Sequence, residues 1–392
     1  MTLANWKSFR LDELCEVRIG RTPRCDNPAY WGGDAVWVTI RELDGGVISS
    51  SKEHVSDLAV ETVMPEPVPE GTLLFSFKLS IGKMGIAGCP LYTNEAIAAL
   101  PIRDPDRLSR DFLRYALMAT SHEGGANNAV LGKVLNKEKV SAIRVPLPPL
   151  DEQHRIARIL DEAEGLRQLR ARADERMADF IPALFNQMFG DPATNPKGWN
   201  SVTLGQLLSF ITSGSRGWAQ YYASAGAQFI RVQNLTGHRL SFDDVAHVKP
   251  PETSETKRTR IMPHDLLLAI TGATIGLSAL APEDIGEAYV NQHVAILRLN
   301  SDVDPAYAAA FMVDKRGGQR QIAKMQYGHT KPGIGLEQIR SMTMSLPPLA
   351  LQREFAARVT EARAVQDQQA RSRSRLEAGF QALLHRAFEG EL

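Results

Sequence analysis

Two stretches of this 392-residue chain share one helical rhythm. From Asp151 to Met188 the apolar positions are Ile156, Ile159, Ala163, Leu166, Ala173, Met177, Phe180 and Leu184. Their steps alternate between three and four residues, with one step of seven, a rhythm near 3.5 that predicts a coiled-coil seam. Phe355, Val359, Ala362, Val365, Leu376, Phe380 and Leu383 repeat the rhythm, with polar interruptions at Gln369 and Ser372. Paired prolines precede both stretches, at 148–149 and 347–348, where a missing N–H does no harm to a helix just beginning. Unbroken from Asp151 to Met188, the first helix would reach ~57 Å at ~1.5 Å per residue, the length of a spacer. Asp151 and Glu152 stand where a helix start favours acids, and Gly190-Asp191-Pro192 with Asn195-Pro196 ends the pattern. Ahead of each helix lie short β-rich runs, at 35–40, 71–77, 86–89 and 96–102, and again at 229–232, 266–271 and 293–299. Helical patterns at 107–120 and 305–326 accompany them, so each globular part is expected to be α+β.

The two halves are copies of one unit. Leu147-Pro148-Pro149-Leu150 returns 199 residues later as Leu346-Pro347-Pro348-Leu349, and 14 of the 43 positions from Leu147 to Phe189 are identical to their counterparts, Gln153/Gln352 and Phe189/Phe388 among them. The preceding parts correspond more loosely. Trp6 matches Trp199, Leu73-Leu74-Phe75 matches Leu266-Leu267-Leu268, Ile81-Gly82 matches Ile275-Gly276, and Thr93-Asn94-Glu95 matches Val290-Asn291-Gln292. The expected organisation is a variable part at 1–146, a helix at 147–192, a second variable part at 193–345 and a second helix at 346–392.

Composition narrows the class without naming a function. With 43% hydrophobic and 23% charged residues the chain is globular, and its length suits two or three domains. The N-terminus shows no leader pattern, and the long uncharged stretch 266–282 is interrupted by Gly272 and Gly276, so a cytoplasmic location without a membrane span is expected. Cys15, Cys25 and Cys89 form no framework. Net charge is zero, and only 193–345 is clearly basic, with 15 Lys+Arg against 12 Asp+Glu. Any DNA contact therefore needs its cations gathered on one face, or supplied by a partner. No phosphate-binding GxxxxGK[ST] loop and no HExxH pair occurs, and Asn195-Pro196 continues as Lys197-Gly198, unlike an amino-methyltransferase pocket. These absences argue against catalysis in the chain itself.

The string Leu147-Pro-Pro-Leu-Asp-Glu-Gln-His-Arg-Ile-Ala-Arg-Ile-Leu, its echo at Leu346-Pro-Pro-Leu-Ala-Leu-Gln, and the upstream Ile19-Gly-Arg-Thr-Pro and Trp37-Val-Thr-Ile together resemble specificity subunits of type I restriction-modification systems. The resemblance covers essentially the whole chain. It implies a target recognition domain at 1–146, a central helix at 147–192, a second recognition domain at 193–345 and a C-terminal helix at 346–392, the two helices pairing as an antiparallel coiled coil. It further implies double-stranded DNA as ligand, with a split asymmetric target, and two methyltransferase subunits as partners, with restriction and translocase subunits possible. S-adenosylmethionine, ATP and magnesium are then expected only in those partners. Two alternatives stay open, a coiled-coil scaffold and a DNA-binding adaptor of a related phage-defence complex. The second helix departs from the pattern where Ala350-Leu351 replaces Asp151-Glu152.

Residue chemistry proposes where DNA would be read. Arg pairs with guanine, Asn and Gln with adenine, and Lys holds phosphate. In the first half the candidates are Arg21, Arg24, Lys78, Lys83, Lys133 and Lys137. In the second they are Arg216, Gln233, Asn234, Lys257, Arg258, Arg260, Arg316, Arg320, His329 and Lys331. Trp218, Tyr221 and Tyr222 beside Arg216 are read either as stacking groups or as ordinary packing.

Overall fold

The computed structural model describes residues 6–122, 135–236, 239–326 and 333–392. The chain divides into two compact units, one formed by residues 1–171 with 371–392, the other by 172–370. Each is a mixed β and α body closed by segments of the two long helices.

In the first unit the strand Leu73–Ser76 lies between Ile97–Leu100 and Met84–Ala87, in a five-stranded sheet completed by Arg18–Ile19 and Val47–Ile48. Side chains alternate across a strand. Leu73 and Phe75 accordingly pack with Phe112 and Tyr115, while Leu74 packs with Val38, Leu43 and Ile48 on the other face. Burial on both faces is why 73–75 reads as an unbroken apolar run. A three-stranded sheet of Glu53–Val55, Trp31–Val38 and Tyr92–Thr93 adjoins it. The second unit repeats the logic. Leu266–Ala269 lies centrally between Val294–Leu299 and Ser278–Leu280; Leu266 and Leu268 face Tyr307 and Phe311, and Leu267 faces Ile230 and Val290. A second four-stranded sheet contains Tyr222–Ala223, Ala246–Val248, Ala227–Ile230 and Ala288–Val290.

The expected helices form, with two corrections. The first long helix is not continuous to Met188: it runs Leu150–Ala178, pauses at Asp179 and resumes as Phe180–Phe189. Pro182 has no N–H to give the carbonyl of Ala178, four residues back, so the ladder loses a rung there. The second, with Gln381 at the matching place, runs unbroken over Leu349–Glu389. The single helical pattern at 305–326 is two helices, Pro305–Val313 and Gly318–Gln326. Asp314 turns the chain between them by accepting the N–H groups of Arg316 and Gly317, each at 2.8 Å.

One buried glutamine per unit joins the long helix to the globular part. Gln153 is fully buried; its carbonyl accepts the N–H of Ser109 at 2.8 Å, and its amide donates to the carbonyls of Arg107 and Pro148, both at 2.9 Å. Gln352 does the same in the second unit, accepting from Asp304 at 2.8 Å and donating to Pro347 at 2.7 Å. Helix segments also meet within each unit. Arg155 reaches the carbonyl of Leu392 and Arg167 pairs with Glu377 in the first; Phe185 meets Phe355 in the second. Among the described residues no helix is long and apolar enough to cross a membrane.

Candidate nucleic-acid interface

Both units build the same kind of loop. In the first, Gly20 comes directly after the strand Arg18–Ile19 and is pressed against the 93–94 turn so closely that a Cβ would lie 2.1 Å from the Thr93 carbonyl oxygen. Only glycine fits such an approach. The N–H of Arg21 then donates to that carbonyl at 2.7 Å. Two tryptophans brace the loop beyond Gly20, Trp37 donating to the Arg21 carbonyl at 3.1 Å and Trp31 to the Arg24 carbonyl at 3.3 Å, their rings edge to face at 4.9 Å. The Thr22 hydroxyl donates to Glu95, which holds that carboxyl below its usual range. A rigid loop thus presents Arg21 and Arg24. Arg21 leans on the Val63 carbonyl at 3.0 Å, and Arg24, 78% exposed, pairs with Asp26.

In the second unit Gly214 takes the place of Gly20. A Cβ there would lie 2.1 Å from the carbonyl oxygen of Asn291, the counterpart of Asn94. Ser215 bridges to Asn291 and accepts the Trp218 indole N–H at 2.8 Å, while that ring packs on Phe229 and Tyr289. Trp218 is therefore core packing, the blander of its two readings. Arg216 stands exposed on the turn, just before Gly217 at φ +86°.

A second pair of loops leads out of the central strands, at 77–83 and 270–276. Gly82 and Gly276 return the chain at φ +90° and +92°. The first loop carries Lys78, over the Phe77 ring at 5.4 Å, and the exposed Lys83. Its tip is Leu79, 93% exposed at φ +61°, a residue that pattern reasoning passed over because one leucine between Lys78 and Ser80 looks like strand. Beside the second loop, Gln319 donates to the Gly276 carbonyl at 2.9 Å and holds the helix Gly318–Gln326 in place. That helix and the turn before it form an open groove lined by Lys315, Gln319, Arg320, Ala323 and Lys324, without a carboxylate. Lys324 was also missed, although it lies one turn beyond Arg320 on the same face. Gly333 bridges back to Thr271.

The remaining candidates separate by environment. Lys257 and Arg260 are exposed on or just after the short helix Ser254–Thr259. Arg258, although exposed, donates to Thr212 and to the Ser213 carbonyl at 2.8 Å and pairs with Glu255, so it supports the strand leading to Gly214. Asn234 is 2% exposed and spends its amide on Arg231, Ser241 and Asp244; it holds a turn and offers no free edge. Gln233 is exposed beside Arg231 and Asp244. Arg316 is tied to Asp191 and Asn186, away from the loops' own bonding. Lys137 lines a cleft with Arg18, Glu16 and Glu66, in which the guanidinium is already paired with both carboxylates. Lys133, His329 and Lys331 lie outside the described residues.

The sequence profile of the type I restriction modification DNA specificity domain matches this chain twice, at residues 4–172 and 196–368. The chain belongs to that family. Over 254 residues this specificity-domain protein is 27% identical to the specificity subunit of the type I restriction enzyme MjaIX from Methanocaldococcus jannaschii, a match covering 59% of the chain and 58% of the relative. It thus spans a little over half of that relative's length. With the EcoBI specificity subunit of Escherichia coli it shares 21% identity over 364 residues, 83% of the chain and 76% of the relative. The fold is similar to that of the type I restriction-modification S subunit from M. genitalium, with a TM-score of 0.59 at 15% identity over 99% of this chain and 98% of the other. A chain from a structural study of type I R-M complex assembly and conformational transition matches with a TM-score of 0.61 at 18% identity, both chains covered completely.

Proposed function

We propose that this specificity-domain protein reads DNA sequence for a type I restriction-modification complex, one unit for each half of a split asymmetric target. The observation that carries the reading is the loop built twice. Gly20 and Gly214 fix the same close approach, yet the exposed side chains differ, Arg21 and Arg24 on one and Arg216 on the other. A common frame with different reading groups is what an asymmetric site requires. The loops at 77–83 and 270–276, with the basic groove at Lys315, Arg320 and Lys324, would hold phosphate near the bases read. Two long helices, paired as an antiparallel coiled coil, would set the spacing of the half-sites. Two methyltransferase subunits, joined in the restriction form by nuclease and translocase subunits, would bring S-adenosylmethionine, ATP and magnesium; this chain would contribute recognition and no catalytic group, in the cytoplasm where those partners act.

The test is genomic. Cells expressing this chain with its neighbouring methyltransferase are mapped for methylated bases and compared with cells expressing the methyltransferase alone. A bipartite motif that depends on the chain, and changes in one half when residues 1–146 are exchanged, supports the reading. Chain-independent methylation by a complex that still assembles rejects it in favour of a scaffold.

A further inference from the structure

The two copies of the helix pair differ at one place where the difference leaves a hole. In the first unit, Arg167 sits between Glu164 and Glu377, at 2.5 and 2.6 Å, with its guanidinium over the Phe380 ring at 4.3 Å. Glu164, Arg167, Glu377 and Phe380 meet between the helices, two carboxylates sharing one guanidinium above the ring. Adding or subtracting the 199-residue repeat gives their counterparts in the second unit: Arg363, Gln366, Ala178 and Ile181. Both carboxylates are gone, one replaced by a cation and the other by a methyl group, and the aromatic ring has become a smaller branched chain.

All four counterparts line a cavity of about 630 Å³ within the second unit. Its walls mix charged and polar residues with an apolar part that includes Ile181, Phe185 and Val359. Arg363 projects into this setting without an ion pair or side-chain hydrogen bond among the described residues. Its neighbours are already committed: Asp367 pairs with Arg239, and Gln366 accepts from Arg239 at 2.6 Å while donating to the Met177 carbonyl at 3.2 Å. Burial and the adjacent Arg239 guanidinium both hold Arg363 below the ordinary arginine value, and Asp367 offsets only part of that. A partly buried cation lacking a counter-ion is costly unless an anion is supplied from outside.

We propose that this cavity binds a small organic monocarboxylate with an apolar tail, its carboxylate received by Arg363 and its tail by Ile181, Phe185 and Val359. The volume lies in the range of small-molecule sites, ~300–1,000 Å³. Asp179, Asp314 and Lys315 also line the cavity, as do Arg239 and Arg316, already paired with Asp367 and Asp191; it is the apolar part of the lining that suits a carboxylate carrying a hydrocarbon tail better than inorganic phosphate. A guanidinium receives a carboxylate through two parallel N–H donors, so the head group would be oriented as well as neutralised. The inference stands on the second unit alone and is independent of how DNA is read.

Titration calorimetry on the full chain tests it with octanoate, using octylamine as a probe of the same tail and opposite charge. Octanoate is expected to bind saturably at one site and octylamine not to bind. Arg363→Gln should weaken octanoate at least tenfold. Ala178→Glu, which restores the carboxylate that the first unit carries at Glu377, should abolish binding and raise the melting temperature without ligand; it keeps the test open should Arg363→Gln fold poorly. Octanoate binding equally to the native chain and both variants overturns the proposal. So does the absence of saturable binding, including the case where Arg363 becomes protected only in complex with another protein, which assigns the cavity to a partner's acidic side chain.

Discussion

Replacing Gln352 by leucine would remove a side chain of similar size from a fully buried place and strand two backbone groups, the Asp304 N–H and the Pro347 carbonyl. A buried group left without its partner costs about 1–3 kcal/mol, so Gln352→Leu should destabilise the second unit by about 2–6 kcal/mol before any gain from the added apolar surface. Gln153→Leu strands three groups, Ser109 N–H with the Arg107 and Pro148 carbonyls, and should cost the first unit at least as much. For a body of some 200 residues, each kcal/mol lowers the melting temperature by about 2–4 °C, so a fall of roughly 4–24 °C is expected. Scanning calorimetry is the assay, because it resolves units that melt separately. Gln368→Leu, on an exposed stretch of the same helix as Gln352, serves as the control and should stay within about 0.5 kcal/mol of the native chain. If Gln352→Leu melts with the control, water satisfies those groups and the glutamine is not the clamp between helix and globular part.

The same geometry sets other outcomes. Arg216→Ala should weaken binding of the cognate duplex by about 1–3 kcal/mol and relax preference at one position of one half-site; equal weakening on all sequences would make it a phosphate contact. Lys324→Ala should lower the salt dependence of binding, the slope of log K against log salt falling in magnitude by about 0.9, without changing the preferred site, and an unchanged slope removes the groove from the interface. Leu79→Gly should leave melting nearly unaltered, since the side chain is exposed and the backbone φ suits glycine, yet reduce affinity if the tip touches base steps; unchanged affinity assigns Leu79 no part in binding. Asp265→Asn breaks a pair in which a carboxylate 1% exposed receives Arg298 through two bonds, at 2.8 and 2.7 Å, together with the Met262 N–H. The second unit should lose about 3–5 kcal/mol, measured by urea denaturation, and a loss under 1 kcal/mol would mean that the guanidinium finds solvent easily.

Legible in the residue string was whatever repeats or alternates. The 199-residue repeat, the helix rhythm and the central strands 73–76 and 266–269 announce themselves because burial on a regular element leaves a periodic trace. Features that depend on a single side chain meeting a distant partner leave none. Pro182 was visible, but whether a proline at that depth stops a helix depends on what covers the freed carbonyl. Asn234 and Arg258 have the composition of base readers and are used instead to hold a turn and a strand. Gly20 and Gly214 carry no label in sequence; their meaning comes from the turns at 93–94 and 290–291, some 73 and 76 residues further on. The glutamines in the clamp could be seen as identical across the repeat, but not as buried, since glutamine on a polar helix is ordinarily solvated.

The first unit is written in two instalments. Its core includes Phe380, Leu384 and Ala387 together with Phe112, Tyr115, Ile156 and Leu160, so the opening 171 residues cannot close their own interior until the final helix exists. During synthesis the intervening 199 residues, which form the whole of the second unit, leave the ribosome first. At ~5–20 residues per second, the first unit waits roughly 10–40 s with one wall missing. The unit begun first is therefore completed after the second, and a chain cut within residues 371–392 would keep every residue of the second unit while depriving the first of part of its core.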